Sequence, residues 1–388
     1  MHTPVYTTAD PEPARIEQEL RRLWAKLAQA RDTGIPLVKK NAASLIAVVA
    51  DSQGAAAVTQ AIGSLSRHHP GRFVTVVLRP DQISSRETDS YQCVLTLACT
   101  DETCYEHIVI PRSPENSSSL SQLAKMLLPS DLPVILWWRY PFHPAEPLFQ
   151  EFSTLAGQVI LDSITIKNPH SGFTKILELL QTRQPQEVRD INWSRLTPWR
   201  IALASLYDLA AYQPFLAAAE QLEIVYSHQL SRHHLLNNSQ VLLLFSWLTS
   251  RLGWSLRSGI TEEQPAAVYR VAMVSSSGHS IMCHFRMFPA VSHLDAGIKQ
   301  ICLTAGGNRP ARFSISLCQD NRHLRTLITL PANSPPEKIT CLETGNETDL
   351  ITEAMRPGLG DHIYQQTLEH LGGNLNLWRF EDGRNTSS

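Results

Sequence analysis

Leu45-Ile46-Ala47-Val48-Val49 is an unbroken apolar run, and it sets the fold class of the first half of the chain. A strand that is covered on both faces has this pattern, whereas a half-exposed strand alternates apolar and polar residues. Similar apolar runs follow at residues 73–78, 133–138 and 159–161. The segments between them carry apolar residues at helical spacing, so strands and helices alternate. The pattern predicts an α/β domain with a three-layer, mostly parallel sheet.

The second half of the chain is rich in strands instead. Short strand-like segments lie close together, with turn residues between them, at residues 222–225, 267–274, 280–285, 298–304, 313–318 and 324–330. Helical patterns occur at residues 241–252, 349–355 and 361–370. This arrangement predicts an α+β domain with a largely antiparallel sheet. A polar stretch at residues 181–190 separates the halves, so we expect two domains, 1–185 and 186–388.

Near the start of the second domain lies the octet Trp193-Ser194-Arg195-Leu196-Thr197-Pro198-Trp199-Arg200. We expect Thr197 to cap a helix and Pro198 to open it, because the N–H that proline lacks would be unbonded there. Arg200 then lies in the first turn, where the helix dipole disfavours a cation. An acidic side chain, an anionic ligand or an acidic partner surface must offset this. Two interpretations stay open: Arg195, Thr197 and Arg200 bind phosphate, or they pair with carboxylates and clamp the two halves together. We favour the clamp.

The composition is that of an ordinary globular protein, since 43% of the 388 residues are hydrophobic and 18% are charged. The formal net charge of -2 gives no electrostatic reason to expect binding to nucleic acid or to an anionic membrane. The first residues lack the basic and apolar regions of a signal peptide, and the apolar stretches are too short to span a bilayer. We therefore expect a soluble, cytoplasmic protein.

A search for catalytic motifs is negative. The sequence has no GxGxxG after its first buried strand, no phosphate-binding loop ending in Lys-Ser/Thr, no GxSxG and no HExxH. Its seven cysteines include no CxxC pair of the kind that holds zinc. The sequence therefore predicts no catalytic residue, no cofactor and no metal.

Polar residues follow two of the predicted parallel strands. Arg139 comes directly after Trp138, and Asp162 ends the next apolar run. Ligands of open parallel sheets bind beyond these carboxyl ends, so both residues are candidates for a polar ligand or partner site. The alternative is that Asp162 only caps the following segment. Trp137 and Trp138 are neighbours on one strand and face opposite sides of the sheet, so at least one of them belongs to the core.

Cys99 and Cys104 flank a predicted hairpin turn, so the two thiols can approach each other. A free cysteine is most often a small buried core residue, and this is the first interpretation of both. The second interpretation is a thiol switch formed by the pair.

Four motifs together resemble one known family. They are SRHHPGR (66–72), DLPVILWW (131–138), VILDS (159–163) and WSRLTPWR (193–200). Their order and spacing are similar to those of the OpcA family, the glucose-6-phosphate dehydrogenase assembly proteins of cyanobacteria and actinobacteria. The resemblance implies a non-catalytic partner that binds the dehydrogenase and promotes its active oligomer in the oxidative pentose phosphate pathway. From the cyanobacterial members it also implies a link to thioredoxin through cysteines.

The positions that match the family's motifs are candidates for the partner interface or for structural clamps: Arg72, Trp137, Trp138, Asp162, Arg195, Thr197, Pro198, Trp199 and Arg200. The leading hypothesis is an allosteric activator that binds the active dehydrogenase assembly more tightly than its other states. The second hypothesis, from another class, is a sugar-phosphate-binding enzyme or sensor that uses Arg139, Asp162, Arg195 and Arg200.

Overall fold

The computed structural model describes residues 5–8, 12–30, 38–39, 43–79, 92–100, 103–113, 119–140, 142, 146–166, 168–182, 187–228, 238–263, 268–290, 297–306, 310–332, 334–342, 346–356 and 361–374. The chain forms two compact units. The first unit comprises Met1–Ile166, Glu178–Ile191 and Gly345–Gly360, and the second comprises Lys167–Leu177, Asn192–Thr344 and Asp361–Ser388. Each unit contains segments from both sides of the boundary at residues 185 and 186 that we expect from the sequence.

A sheet of nine described strands forms the first unit: β1 (Val5–Thr8), β2 (Val38–Lys39), β3 (Ala43–Val49), β4 (Gly71–Val77), β5 (Cys93–Thr100), β6 (Thr103–Pro111), β7 (Val134–Trp138), β8 (Gln158–Leu161) and β9 (Glu187–Asp190). Their order is β1-β5-β6-β4-β3-β7-β8-β9, with β2 paired to β6. Neighbours from β6 to β9 are parallel, while β1, β5 and β6 pair antiparallel. The predicted mostly parallel sheet with an antiparallel hairpin at its edge is confirmed.

Helices cover both faces of this sheet, which gives the three predicted layers. They are α1 (Pro13–Ala30), α2 (Ser52–His68), α3 (Leu120–Met126), α4 (Pro147–Leu155) and α10 (Glu347–Ala354), while α5 (Pro169–Thr182) has residues in both units. Trp137 packs in the core on the side of α2 and α10. Trp138 packs on the other side against Phe149 and Phe152 of α4, with ring centroids 5.0 and 6.5 Å away. Both tryptophans are buried, on opposite faces, as the alternation along a strand predicts.

Arg72 lies buried on β4 among carboxylates from two other elements. Its Nε donates to Glu106 Oε2 on β6 at 2.5 Å, and its Nη1 donates to the carbonyl of Leu127 at 2.7 Å. Its two Nη atoms also donate to the carboxylate of Glu17 on α1. Glu106 in turn accepts a hydrogen bond from Trp24 Nε1 at 2.6 Å. Arg72 and Glu106 are 5% and 1% exposed, so these contacts, and not water, compensate both charges.

Part of the polar stretch that separates the halves of the sequence belongs to the sheet of the first unit. Residues 181–190 have no apolar run, yet Glu187–Asp190 form β9, paired in parallel with β8. An edge strand needs to bury only alternate residues, and here these are Val188 and Asp190. The carboxylate of Asp190 accepts a hydrogen bond from the backbone N–H of Ser163 at 3.0 Å. An apolar-run pattern therefore cannot identify this strand.

A sheet of eight described strands forms the second unit: β10 (Ala219–His228), β11 (Ser255–Glu263), β12 (Val268–Val274), β13 (Ser280–Pro289), β14 (Gly297–Ala305), β15 (Ala311–Leu317), β16 (His323–Thr329) and β17 (Lys338–Cys341). Their order is β11-β12-β13-β10-β14-β15-β16-β17. The pairs are antiparallel except for β10 with β13. The largely antiparallel sheet is confirmed, and the parallel pair arises because a helix intervenes after β10.

The described helices of the second unit are α6 (Ile191–Arg195), α7 (Thr197–Tyr207), α8 (Gln213–Ala217), α9 (Ser239–Leu252) and α11 (His362–Asn374). The helix expected at 241–252 is α9, which starts two residues earlier because the side chain of Asn238 caps it. It ends at Gly253, whose φ of 63° suits glycine. The Ser246 hydroxyl donates to the carbonyl of Thr367 at 2.9 Å and so joins α9 to α11.

Candidate functional site

The carboxyl ends of β3 and β7 meet the start of α2 in the first unit. Strand β3 lies between β4 and β7, so the strands that come later in the chain are added on both sides of β3. The direction in which the sheet grows therefore reverses at β3. In open α/β sheets this switch point is the usual ligand crevice. A phosphate would bind at the start of the helix, because free backbone N–H groups and the helix dipole attract anions there.

The start of α2 is occupied by a carboxylate of the chain itself. Asp51 caps the helix, and its Oδ1 accepts a hydrogen bond from the backbone N–H of Gly54 at 2.8 Å. A Cβ atom at Gly54 would lie 3.0 Å from Cβ of Val49, so glycine here allows α2 to pack closely on β3. A phosphate at this position would face the negative charge of Asp51, and like charges repel.

Arg139 lies at the carboxyl end of β7 and is engaged by an acidic residue from the far end of the sequence. Its Nε and Nη2 donate to the two carboxylate oxygens of Glu347 at 2.9 and 2.8 Å. Its Nη1 donates to the carbonyl of Gly54 at 3.5 Å, and its guanidinium lies 5.4 Å from the centroid of the Trp137 ring. The pair thus bridges α10 to the first turn of α2. We name Asp51, Gly54, Arg139 and Glu347 the crevice cluster.

Asp162 follows β8 and acts as a cap. Its Oδ1 accepts a hydrogen bond from the backbone N–H of Ile164 at 3.2 Å, at the start of a short 3-10 helix, Ser163–Thr165. Asp162 therefore caps this segment, and a ligand or partner role for it stays a prediction.

The octet forms two consecutive helices in the second unit, and the predicted helix start needs a correction. Thr197 is not the N-cap, because α6 leads into α7 and Leu196 takes that position. The hydroxyl of Thr197 instead accepts a hydrogen bond from Arg200 Nη2 at 2.8 Å. Pro198 lies in the first turn of α7, and Trp199 is buried below it. Arg195 is the last residue of α6.

Arg200 meets an aromatic ring at the helix start. Its guanidinium carbon lies 3.6 Å from the centroid of the Trp193 ring, the geometry of a cation–π contact. Burial lowers the pKa of Arg200 to about 10, while the Asp361 carboxylate acts in the opposite direction. The described hydrogen bonds of this guanidinium go to the Thr197 hydroxyl and the Trp193 carbonyl. The ring of Trp193 and the carboxylate of Asp361 thus both offset the position of this cation, and Asp361 is an acidic side chain of the kind that the sequence led us to expect.

Asp361 fixes that ring in place. Its Oδ2 accepts a hydrogen bond from Trp193 Nε1 at 2.7 Å, and its Oδ1 caps α11 by accepting from the backbone N–H of Tyr364. The ring of Tyr364 lies 5.4 Å from that of Trp193. The sequence analysis did not identify Asp361, Asp51 or Glu347. Asp51 and Asp361 had a local signal, since each is an aspartate directly before a helix, whereas the capping box beside Glu347 involves Asn346 and Asp349 and does not indicate Arg139 as its partner.

Cys99 and Cys104 form a disulfide across the β5–β6 hairpin. They are register partners on neighbouring strands, and their Cα atoms are 3.9 Å apart. The other five cysteines, all in described segments, are free: Cys93, Cys283, Cys302, Cys318 and Cys341. The interpretation of Cys99 and Cys104 as free core residues is thus wrong for this structure, because strand pairing places the two thiols opposite each other. A switching role for the pair stays a prediction.

Thiol titration checks this disulfide. We expect the denatured, oxidised protein to expose five reactive thiols and the reduced protein seven. Closing so short a loop restricts the unfolded chain, so reduction should lower the free energy of unfolding by about 2 kcal/mol. Cys341→Ala, which changes an exposed free cysteine, serves as the control. Seven reactive thiols before reduction would contradict the assignment.

Within the described segments, no group of three or more His, Cys, Asp or Glu side chains is arranged to hold a metal ion. No helix among the described residues is both long and apolar enough to cross a membrane.

Two family models match the chain. The model of the glucose-6-phosphate dehydrogenase subunit N-terminal domain matches residues 63–178, and that of the C-terminal domain of the same subunit matches residues 186–368. Together they cover well over half of the sequence.

Curated relatives from cyanobacteria carry the name OxPP cycle protein OpcA. The relative from Synechococcus elongatus is 26% identical over 192 residues, which are 49% of this chain and 41% of the relative. The relative from Nostoc punctiforme is 27% identical over 219 residues, which are 56% of this chain and 45% of the relative. The chain thus spans less than half the length of these curated relatives.

Solved structures of oxidoreductases are distantly similar. The 3-ketoreductase from Actinomadura kijaniata, in complex with NADP and TDP-benzene, has a TM-score of 0.48 at 8% identity and covers 87% of this chain and 97% of its own. The WlbA dehydrogenase from Thermus thermophilus, in complex with NAD and alpha-ketoglutarate, has a TM-score of 0.43 at 14% identity and covers 86% and 94%. Likeness at this level carries no information about activity.

Proposed function

Because the chain belongs to the OpcA family, whose two glucose-6-phosphate dehydrogenase subunit domains match most of it, we propose that it is a non-catalytic assembly protein for that dehydrogenase. In this proposal it binds the enzyme, favours its active oligomer and so raises flux into the oxidative pentose phosphate pathway. The dehydrogenase itself carries out the chemistry.

The crevice cluster is the observation that supports this proposal most strongly. The first unit has the strand order of a doubly wound sheet, but Asp51 occupies the helix start where the phosphates of a dinucleotide would bind. Arg139, the cation nearest that position in the cluster, is already paired with both oxygens of Glu347. The side chains that would receive a phosphorylated ligand are therefore committed to contacts within the first unit. A binding scaffold explains this arrangement better than an enzyme does.

The mechanism we propose is a population shift. A protein that binds one state of an oligomeric enzyme more tightly than the others stabilises that state by the difference in binding free energy. The test is a titration of this protein into the dehydrogenase from the same genome, with rates measured at substrate concentrations below KM. We expect KM for glucose 6-phosphate to fall as the protein is added. An unchanged KM and kcat, in oxidising and in reducing buffer, would contradict the mechanism.

A thermal-shift experiment separates this proposal from the sugar-phosphate enzyme or sensor. We expect Tm of the protein alone to change by less than about 1 °C with millimolar NADP+, NAD+, glucose 6-phosphate or 6-phosphogluconate, because a ligand stabilises only a protein that binds it. The dehydrogenase with NADP+ is the positive control. A shift of several degrees accompanied by turnover would favour the enzyme and overturn our assignment.

Thioredoxin is a second partner that we propose, in line with the redox link that the resemblance implies. The Cys99–Cys104 disulfide is the described bond that a dithiol reductant can open. We expect dehydrogenase activation to differ between protein reduced with thioredoxin and oxidised protein. A Cys99→Ser/Cys104→Ser variant should lose this difference, while Cys341→Ala should keep it. Equal activation of the dehydrogenase by reduced and by oxidised protein would contradict the proposal that thioredoxin is a partner.

A further inference from the structure

The sheet of the second unit has one buried face and one open face. Successive residues of a strand point to opposite sides, and on one side the central strands bury large apolar residues such as Ile224, Phe285 and Phe313. The strand pairing arranges the other side in three rows across the sheet. We name it the open face, and its rows are Ala272-Met282-Gln221-Thr304-Arg312-Thr329, Arg270-His284-Glu223-Cys302-Ser314-Leu327 and Val268-Arg286-Val225-Gln300-Ser316-Arg325-Ile339.

Apolar side chains remain accessible on or beside this face. Met282 is 37% exposed, Leu327 47% and Ile339 60%. Phe288, two residues beyond Arg286 on β13, is 49% exposed. A sheet face that only meets water carries mainly small polar and oppositely charged residues. Exposed methionine and phenylalanine are instead typical of the cores of protein interfaces.

The open face carries more positive than negative charge. Its rows contain four arginines and one glutamate, and Glu263 of β11, the register partner of Val268, extends the third row. Arg286 pairs with Glu223 at 2.9 Å, and Arg325 pairs with Glu337 at 3.0 Å just before β17. Arg312 donates its Nε–H to the thiol of Cys302 at 3.0 Å. Arginine without lysine is again the composition of an interface, because a guanidinium forms planar paired bonds to carboxylates.

The extent of the open face fits a protein partner. Each row crosses six or seven strands that lie about 4.8 Å apart, and the three rows are about 7 Å apart along the strands. The open face therefore covers roughly 600 Å². A standard interface buries about 800 Å² on each partner. The rows together with residues at their rim, such as Phe288, are thus large enough for a specific complex.

The sign of the charge decides between possible occupants. A second copy of this chain, docked face to face about a twofold axis, would place this net positive surface against itself. An acidic surface would pair with them, and charge complementarity favours that partner. We propose that the open face is the docking surface for an acidic, partly apolar patch of another protein. This inference rests on the proposed function, under which that protein is the dehydrogenase.

Paired variants test the inference. Arg312→Glu and Leu327→Asp alter the open face, while Arg356→Glu and Ile201→Asp make matching changes at exposed sites, just beyond the end of α10 and on α7. Kd for the purified dehydrogenase is measured at low and at high salt, and circular dichroism checks that each variant is folded. We expect each open-face variant to raise Kd about tenfold or more, as for a central interface residue. Arg312→Glu should also reduce the salt dependence, and both control variants should bind within about twofold of the wild type.

The outcomes separate this inference from the proposed function. If the wild type binds the dehydrogenase and folded open-face variants bind equally well, the inference is wrong and the proposed function stands. If sedimentation shows that the chain alone self-associates and the open-face variants abolish this, the occupant is a second copy and the inference is wrong. If the wild type itself does not bind, the proposed function fails.

Discussion

Replacing Arg72 with methionine should lower the free energy of unfolding by about 3–5 kcal/mol. Methionine fills a similar volume but removes the guanidinium that pairs with the carboxylate of Glu106, which is 1% exposed. Removing one partner of a buried ion pair costs far more than the pair itself contributes, because water cannot take its place. Chemical denaturation of the first unit, followed by the fluorescence of its tryptophans, measures the effect.

Two further variants show whether the unpaired charge is the cause. Arg72→Met/Glu106→Gln removes the charge and should recover a large part of the loss. Arg356→Met removes the partner of Glu353 from an ion pair whose side chains are 64% and 69% exposed, so it should cost less than about 1 kcal/mol. If Arg72→Met were as mild as Arg356→Met, the buried network would not hold α1 to the sheet as we describe.

Replacing Trp193 with alanine should also cost about 3–5 kcal/mol, the usual range for a buried tryptophan. The variant loses the ring below the guanidinium of Arg200, the packing against Tyr364 and the hydrogen bond to Asp361. Arg200 would then be a partly buried cation at a helix start without its aromatic support. Denaturation followed by far-ultraviolet circular dichroism measures the change.

Trp193→Phe separates the contribution of the aromatic ring from that of the indole hydrogen bond. It keeps a ring face for Arg200 but removes the N–H that Asp361 accepts, and a hydrogen bond to a charged group contributes about 1.5–3 kcal/mol. Ile201→Ala on α7, at a side chain 61% exposed, is the surface control and should change stability by less than about 0.5 kcal/mol. A loss below about 1 kcal/mol for Trp193→Ala would show that the octet does not hold its unit together.

The parts of the fold that rest on local patterns were predictable from the sequence. The apolar run before Val49 gave a central parallel strand, because no polar residue interrupts it. Trp137 and Trp138 lie on opposite faces because a strand alternates, whatever surrounds it. Strand-rich periodicity likewise predicted the antiparallel sheet of the second unit, although not the parallel pair of β10 and β13.

The parts of the fold and of the site that rest on contacts between distant residues were not predictable from the sequence. Glu347 reaches Arg139 across more than 200 positions of sequence, and no pattern near Arg139 indicates that partner. Asp361 likewise contacts Trp193 from a distant part of the sequence. The sequence therefore showed that Arg200 needs compensation at a helix start, but it did not indicate which residues provide it. The sequence analysis missed strand β9 because an edge strand needs to bury only alternate residues, here Val188 and Asp190. The candidate site is therefore largely a product of tertiary structure, while the layers that position it follow from periodicity.

Sedimentation velocity of an equimolar mixture with the dehydrogenase tests the central claim most directly. If this chain is a non-catalytic assembly protein, the mixture should contain a species larger than either protein alone, with this chain present in it. Arg312→Glu should reduce the amount of that species, and Arg356→Glu should not. If the mixture at micromolar concentrations shows two separate sedimentation boundaries, each with the sedimentation coefficient of one protein alone, in oxidising and in reducing buffer, the account is contradicted.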